Sequence, residues 1–166
     1  RKLLRKFLLN LRAPFFGQLD GLRSLIYNKY SSMAQPGDWW ARIDADEIYV
    51  DDPRSFLKAV DIQYSSVWYA SLSYYFSSAA AEEYEKYPER YADSVPVGDR
   101  CRYYFNHWSE LRFVRHEAMG IWPDGEARGW PKSAEEANAC PARILCRHYC
   151  YRSPTQIEKR IATRKA

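Results

Sequence analysis

Three carboxylates stand within four residues at Asp44-Ala45-Asp46-Glu47, directly after the apolar run Trp39-Trp40-Ala41-Arg42-Ile43. At neutral pH they repel one another, and a fold keeps them together most cheaply when a cation or hydrogen-bond donors offset that repulsion. On an extended backbone Asp44 and Asp46 project to the same side, so both can face one ion. Oxygen ligands suit Mg²⁺ or Mn²⁺, which take one or two carboxylates with phosphate oxygens rather than a full protein cage. The plain alternative is a solvated acidic turn.

A second group lies toward the C-terminus. Cys140, Cys146, His148 and Cys150 cluster within eleven residues, but their spacing lacks the paired Cys-x-x-Cys pattern of a structural zinc site. Glu110, His116 and Glu117 are of the right type for a general base that takes a proton from a hydroxyl. No Gly-rich phosphate loop and no Gly-x-Ser-x-Gly elbow occurs.

These residues need a framework, and the pattern supplies one. Leu3, Leu4, Phe7, Leu8 and Leu11 recur at helical spacing among Arg and Lys, so residues 1–16 read as a basic amphipathic segment closed by Pro14. A second helix is predicted over 19–33, with Leu19, Leu22, Ile26, Tyr30 and Met33 on its apolar face. Residues 39–44 read as a short, mostly buried central strand. Asp52-Pro53 opens a helix over 53–60. Residues 67–76 alternate as a strand with Trp68, Ala70, Leu72, Tyr74 and Phe76 on one side. Further predictions are a helix over 78–87, a loop over 88–100, and strands at 102–105, 111–115 and 143–147. Residues 126–141 lack clear periodicity. Ser153-Pro154-Thr155-Gln156 is a capping box that opens a helix over 154–165. Alternating strand and helix signals imply an α/β fold, a mixed β-sheet flanked by helices, in one domain over 1–166 whose core is 17–166.

Composition bounds the function. With 166 residues, 46% hydrophobic and 28% charged, the chain has ordinary globular chemistry and one domain's length. Aromatics reach 16%, including 14 Tyr and 6 Trp, and such rings build cores and also stack on sugars. Residues 1–30 and 143–166 each carry seven Lys/Arg against one acid, so a net charge of +4 leaves the middle at −8. Basic ends around an acidic centre argue against nucleic acid, which wants one continuous positive face, and suit a cation beside an anionic ligand. A basic end also suits peripheral contact with anionic headgroups. Four cysteines are too few for a disulfide scaffold, and no apolar signal core precedes a cleavage site. A cytoplasmic location, at the inner face of the membrane, is the expectation.

The stretch Gly37-Asp38-Trp39-Trp40-Ala41-Arg42-Ile43-Asp44-Ala45-Asp46-Glu47-Ile48-Tyr49, followed by Pro53 and Phe56-Leu57, resembles the Asp-X-Asp region of A-type glycosyltransferases. The likeness is greatest to bacterial family 2-like enzymes. His148-Tyr149-Cys150-Tyr151-Arg152-Ser153-Pro154-Thr155-Gln156 resembles a second segment of the same enzymes, in the right order about 100 residues on. The resemblance implies a Rossmann-like A-type fold and transfer of a sugar from a nucleotide-sugar donor to a saccharide or lipid-linked acceptor, as in polysaccharide biosynthesis. It implies Asp46 as ligand of Mn²⁺ or Mg²⁺, and Asp44 on the donor ribose or the metal's water shell. It places Glu47 at the site or near the donor sugar, and brings His148 back to the metal or the diphosphate. Arg147 and Arg152 flank His148, and a guanidinium matches phosphate oxygens bidentately. A complete A-type domain opens with a β-α-β unit that holds the base and ribose. Only 43 residues precede Asp44, so the expectation is a chain truncated on that side. The competing classes are a non-catalytic carbohydrate-binding or scaffolding fragment and a metal-dependent phosphoester hydrolase.

Overall fold

The computed structural model describes residues 21–126 and 128–165. Its helices are α1 (Gly21–Tyr30), α2 (Pro53–Lys58), α3 (Ser78–Lys86), α4 (Val97–Arg100), α5 (His116–Met119), α6 (Lys132–Glu135) and α7 (Pro154–Lys165). Its strands are β1 (Trp39–Ala41), β2 (Glu47–Tyr49), β3 (Ser66–Tyr74), β4 (Tyr104–Arg115) and β5 (Ile144–His148). The architecture is mixed α/β: β3 and β5 run parallel, β2 and β5 antiparallel, and helices flank the sheet. The expected amphipathic segment at 1–16 lies outside the described residues.

Capping chemistry fixes several boundaries. Asp52 accepts hydrogen bonds from the amides of Arg54 and Ser55, and Pro53 fills the first position of α2. Ser77 caps α3 by accepting from the Ala80 amide. At α7, Ser153 Oγ accepts from the Gln156 amide as a capping box predicts, while Gln156 Oε1 accepts from the amide of Arg152, one residue before the N-cap amide that the box would engage.

The chain partitions into two compact units. The larger comprises Arg42–Ile62, Val67–Arg112 and residues 140–165; the smaller comprises residues 21–41, Gln63–Ser66 and Phe113–Ala139. In the larger, the strands lie in the order β4-β3-β5-β2. Tyr69 pairs with Ile144 and Ser73 with His148, while Glu47 pairs with His148 and Tyr49 with Cys146. Its core is built on Val67, Tyr69, Leu111, Ile144 and Cys146.

In the smaller unit, β1 pairs antiparallel with residues 113–115 at the end of β4. Tyr27 of α1 meets the Trp40 ring edge-on at 4.9 Å, and Trp40 Nε1 donates to His116 Nδ1 at 3.1 Å. Met119, Trp122 and Trp130 complete that core.

Four expectations need correction. The 39–44 run is a three-residue strand, Trp39–Ala41, at the end of the strand order and not its centre: it pairs with β4, and residues 42–44 leave the strand before the turn at Ala45-Asp46. Within their own unit Tyr27 covers the Trp40 ring and the Arg115 guanidinium covers the Trp39 ring, and this gives an edge strand a core-like sequence. On α1 the inner face is Gly21, Ser24 and Tyr27, while Ile26, Tyr30 and Met33 are exposed. The reason is backbone proximity: a Cβ on Gly21 would lie 2.9 Å from Gly125 O, and Ser24 Oγ accepts from the Gly125 amide. On β3 the more buried face carries Val67, Tyr69, Ser71 and Ser73, opposite to the apolar set expected. Ser71 and Ser73 tolerate burial by bonding each other at 2.8 Å. Finally, the strands expected at 102–105 and 111–115 merge into one twelve-residue strand, β4, that begins only at Tyr104, and short helices occur at 88–91, 97–100 and 132–135.

Candidate functional site

The acidic motif is a turn. The Glu47 amide donates to Asp44 O at 3.2 Å, and Glu47 then enters β2. Directly opposed residues of an antiparallel pair share a face, so the Glu47–His148 register sets those two side chains on one face. Ile48 and Arg147, the next pair, take the other face, and both are exposed. The Tyr149 amide donates to Asp46 O at 2.9 Å and locks the turn onto the end of β5. As a result, His148 Nε2 lies 3.6 Å from Asp46 Oδ2, with both side chains about a quarter exposed.

The dominant charge at the site belongs to Arg112, in the middle of β4 and 2% exposed. Its Nη1 donates to Asp44 Oδ2 at 3.0 Å, and its Nη2 pairs with Glu47 Oε1 and, at 3.1 Å, with Glu110 Oε2. Nη2 also donates to Tyr69 Oη at 3.3 Å, and the guanidinium carbon stands 4.5 Å from the Tyr69 ring centroid. Burial works against the charge on Arg112, but the Tyr69 hydroxyl and the carboxylates of Glu47 and Glu110 outweigh it and hold its pKa above the ordinary value. Burial raises the Glu47 pKa, with Arg112 opposing and Asp44 adding to the rise. Burial likewise pushes the Cys146 thiol up to about 12. A resident arginine therefore offsets the carboxylate repulsion, which the sequence left to a cation or to hydrogen-bond donors.

The expected site residues separate into groups. Asp44, Asp46, Glu47, Glu110 and His148 lie in the larger unit, with Arg112 and Tyr69. Glu47 is fully enclosed at its side chain and faces Arg112, away from any solvent-borne sugar. Glu110 is bound to both Arg42 and Arg112, which occupies the lone pairs a base would use. Glu117 lies in the smaller unit, where its Oε1 accepts from the Gly37 amide. Arg147 projects from the exposed face of β5, opposite to His148. Arg152 is half-buried beside the start of α7. Cys101, Cys140, Cys146 and Cys150 are free thiols. Among the described residues, no group of three or more His, Cys, Asp or Glu side chains is arranged to hold a metal ion.

Arg112, Tyr69 and Arg42 were not singled out from the sequence. Two signals pointed to Arg112: a charged residue inside the apolar run Leu111-Arg112-Phe113-Val114, and the spacing of two that sets Glu110 and Arg112 on one strand face. Comparison with protein-family models, with curated proteins and with solved structures finds no match for this chain.

Proposed function

We propose that the chain is a metal-assisted glycosyltransferase domain, which moves a sugar from a nucleotide-sugar donor to a hydroxyl of a saccharide or lipid-linked acceptor. The observation that carries the reading is the approach of His148 to Asp46, two residues about 100 positions apart drawn together by the β2–β5 register. Together they offer one carboxylate oxygen and one imidazole nitrogen at a partly open place. That set fits Mn²⁺ or Mg²⁺ when diphosphate oxygens and water complete the shell. Asp44 does not fit as a ligand, since Arg112 holds its carboxylate; its 44% exposure suits a contact to the donor ribose instead. A bound divalent ion would neutralise the charge that develops on a departing nucleoside diphosphate. Around it, Arg112 fixes the Asp44–Glu47 turn and so sets where Asp46 stands. The basic segment 1–16 suits attachment to anionic lipid at the cytoplasmic face. No helix among the described residues is long and apolar enough to cross a membrane.

The test is calorimetric titration of uridine and guanosine diphosphates with and without Mn²⁺. Asp46→Asn and His148→Ala are each expected to weaken metal-dependent binding at least about tenfold, on the scale of removing a metal ligand. Equal affinities in wild type and both variants would refute the reading.

A second reading, a non-catalytic carbohydrate-binding domain, draws on Arg112 as the resident counter-ion and on the exposed rings of Tyr103, Tyr104, Phe105 and Trp108. It predicts glycan binding that persists in EDTA.

A further inference from the structure

A cavity of about 730 Å³ lies within the larger unit, and Asp44, Asp46, Glu47 and His148 are not among its walls. Arg100, Arg152 and Lys159 line it, against a single acid, Asp93. Arg100 is the informative wall. Its side chain is only 9% exposed, and its buried Nε has no hydrogen-bond partner. Nη1 reaches Tyr91 O at 3.3 Å and Asp93 Oδ1 at 3.4 Å, both long, and the Asp93 side chain is fully exposed. A buried guanidinium with so little compensation is costly unless something anionic completes it. Arg152 and Lys159 form no ion pair among the described residues.

The start of α7 adds a directed donor. Pro154 has no N–H, Ser153 Oγ takes the Gln156 amide, and the Ile157 amide is bound to Ser153 O. The Thr155 amide is left at the helix N-terminus on the cavity wall, with its hydroxyl beside it. Three cations, one axial amide and one hydroxyl match the several acceptor oxygens of a phosphoryl group better than the two of a carboxylate.

We propose that this cavity is a phosphate-recognition site, in which Arg100, Arg152, Lys159 and the N-terminus of α7 hold the phosphoryl group of a phosphorylated small molecule. The site stands whether or not Asp46 and His148 hold a metal. Its volume suits a ligand of sugar-phosphate size.

Inorganic phosphate and diphosphate are the probes, titrated in EDTA and followed by calorimetry and thermal stabilisation, with acetate as the control of charge alone. Arg152→Gln and Lys159→Gln, on partly exposed side chains, are expected to weaken phosphate binding about tenfold and severalfold respectively. Asp93→Asn removes the competing acid and is expected to tighten binding severalfold, a gain that misfolding cannot mimic. Acetate should bind at least tenfold more weakly than phosphate. Vesicles containing phosphatidic acid form a separate arm: capture by vesicles with no response to soluble phosphate would overturn the small-molecule assignment. Phosphate binding that is absent in EDTA, or unchanged in Arg152→Gln and Asp93→Asn, would overturn the site. Failure of the Asp46 and His148 variants to alter metal-dependent binding would leave these results untouched.

Discussion

Arg112 and Glu47, 65 residues apart in sequence, form an ion pair in which the arginine side chain is 2% exposed and the glutamate side chain 0%. Such a pair is seldom a large net gain over apolar side chains of the same volume, because both charges lose their hydration. Its role is geometric. Arg112 also holds Asp44, so one side chain ties the acidic turn to the middle of β4 and fixes where Asp46 can stand.

Removing one partner exposes that cost. Arg112→Met keeps the side-chain volume but leaves Glu47 buried without its counter-ion, and should cost about 3–5 kcal/mol in urea denaturation. The double variant Arg112→Met/Glu47→Gln should recover part of that loss. A loss under about 1 kcal/mol in the single variant would mean that solvent reaches the pair.

Glu47 also sets a pH dependence. Burial raises its proton affinity in the folded state, with Arg112 opposing and Asp44 contributing to the rise. The folded state therefore binds this proton more tightly than the unfolded state. Its contribution to stability is present below the ordinary carboxylate range and is lost as pH rises through the raised value. Wild type should lose stability relative to Glu47→Gln from about pH 4 upward, then level off. The opposite slope would show that attraction to Arg112 exceeds the cost of burial.

Local chemistry was legible in the sequence wherever a single residue type decides it. Asp52, Pro53, Ser153 and Gln156 mark helix starts because capping needs only neighbours. Which face of an element is buried was less legible. Gly21 and Ser24 are buried on α1 because the distant Gly125 backbone approaches there, and no local periodicity carries that information. The acidic motif was legible as a cluster, and the β2–β5 register sets His148 beside Asp46. Its counter-ion was missed: Arg112 sits in a different strand, and only the fold brings it to Asp44 and Glu47.

The cysteines divide by accessibility. Burial pushes the Cys146 thiol up to about 12 and raises those of Cys101 and Cys150, whereas Cys140 is only half-buried. At pH 8 the thiolate fraction of Cys146 is on the order of one in ten thousand. A disulfide reagent should therefore titrate one fast thiol in the native protein, and Cys140→Ser should remove it. The other three should react only in denaturant. Rapid native labelling of Cys146 would contradict its enclosure.

Gly120 adopts φ 60° and ψ −150°, a region that L side chains rarely enter. A Cβ there would also lie 2.5 Å from Ser133 Oγ. Gly120→Ala should destabilise the protein by about 1–3 kcal/mol. Adding Ser133→Ala should return the steric share and not the backbone share. Thermal unfolding of the three proteins separates the two, and a neutral Gly120→Ala would mean that the turn refolds around it.

The Asp46–His148 contact permits a sharper separation of binding from folding. At 3.6 Å with both side chains about a quarter exposed, the pair should contribute less than about 1 kcal/mol to stability. His148→Ala and Asp46→Asn should therefore unfold at nearly the wild-type urea concentration. If the pair holds a divalent ion, both should still lose metal-dependent nucleotide binding. Their combined loss should be well short of additive, because either substitution alone already dismantles a two-residue site. Additive losses would leave His148 a neighbour of Asp46 and not its partner at a metal.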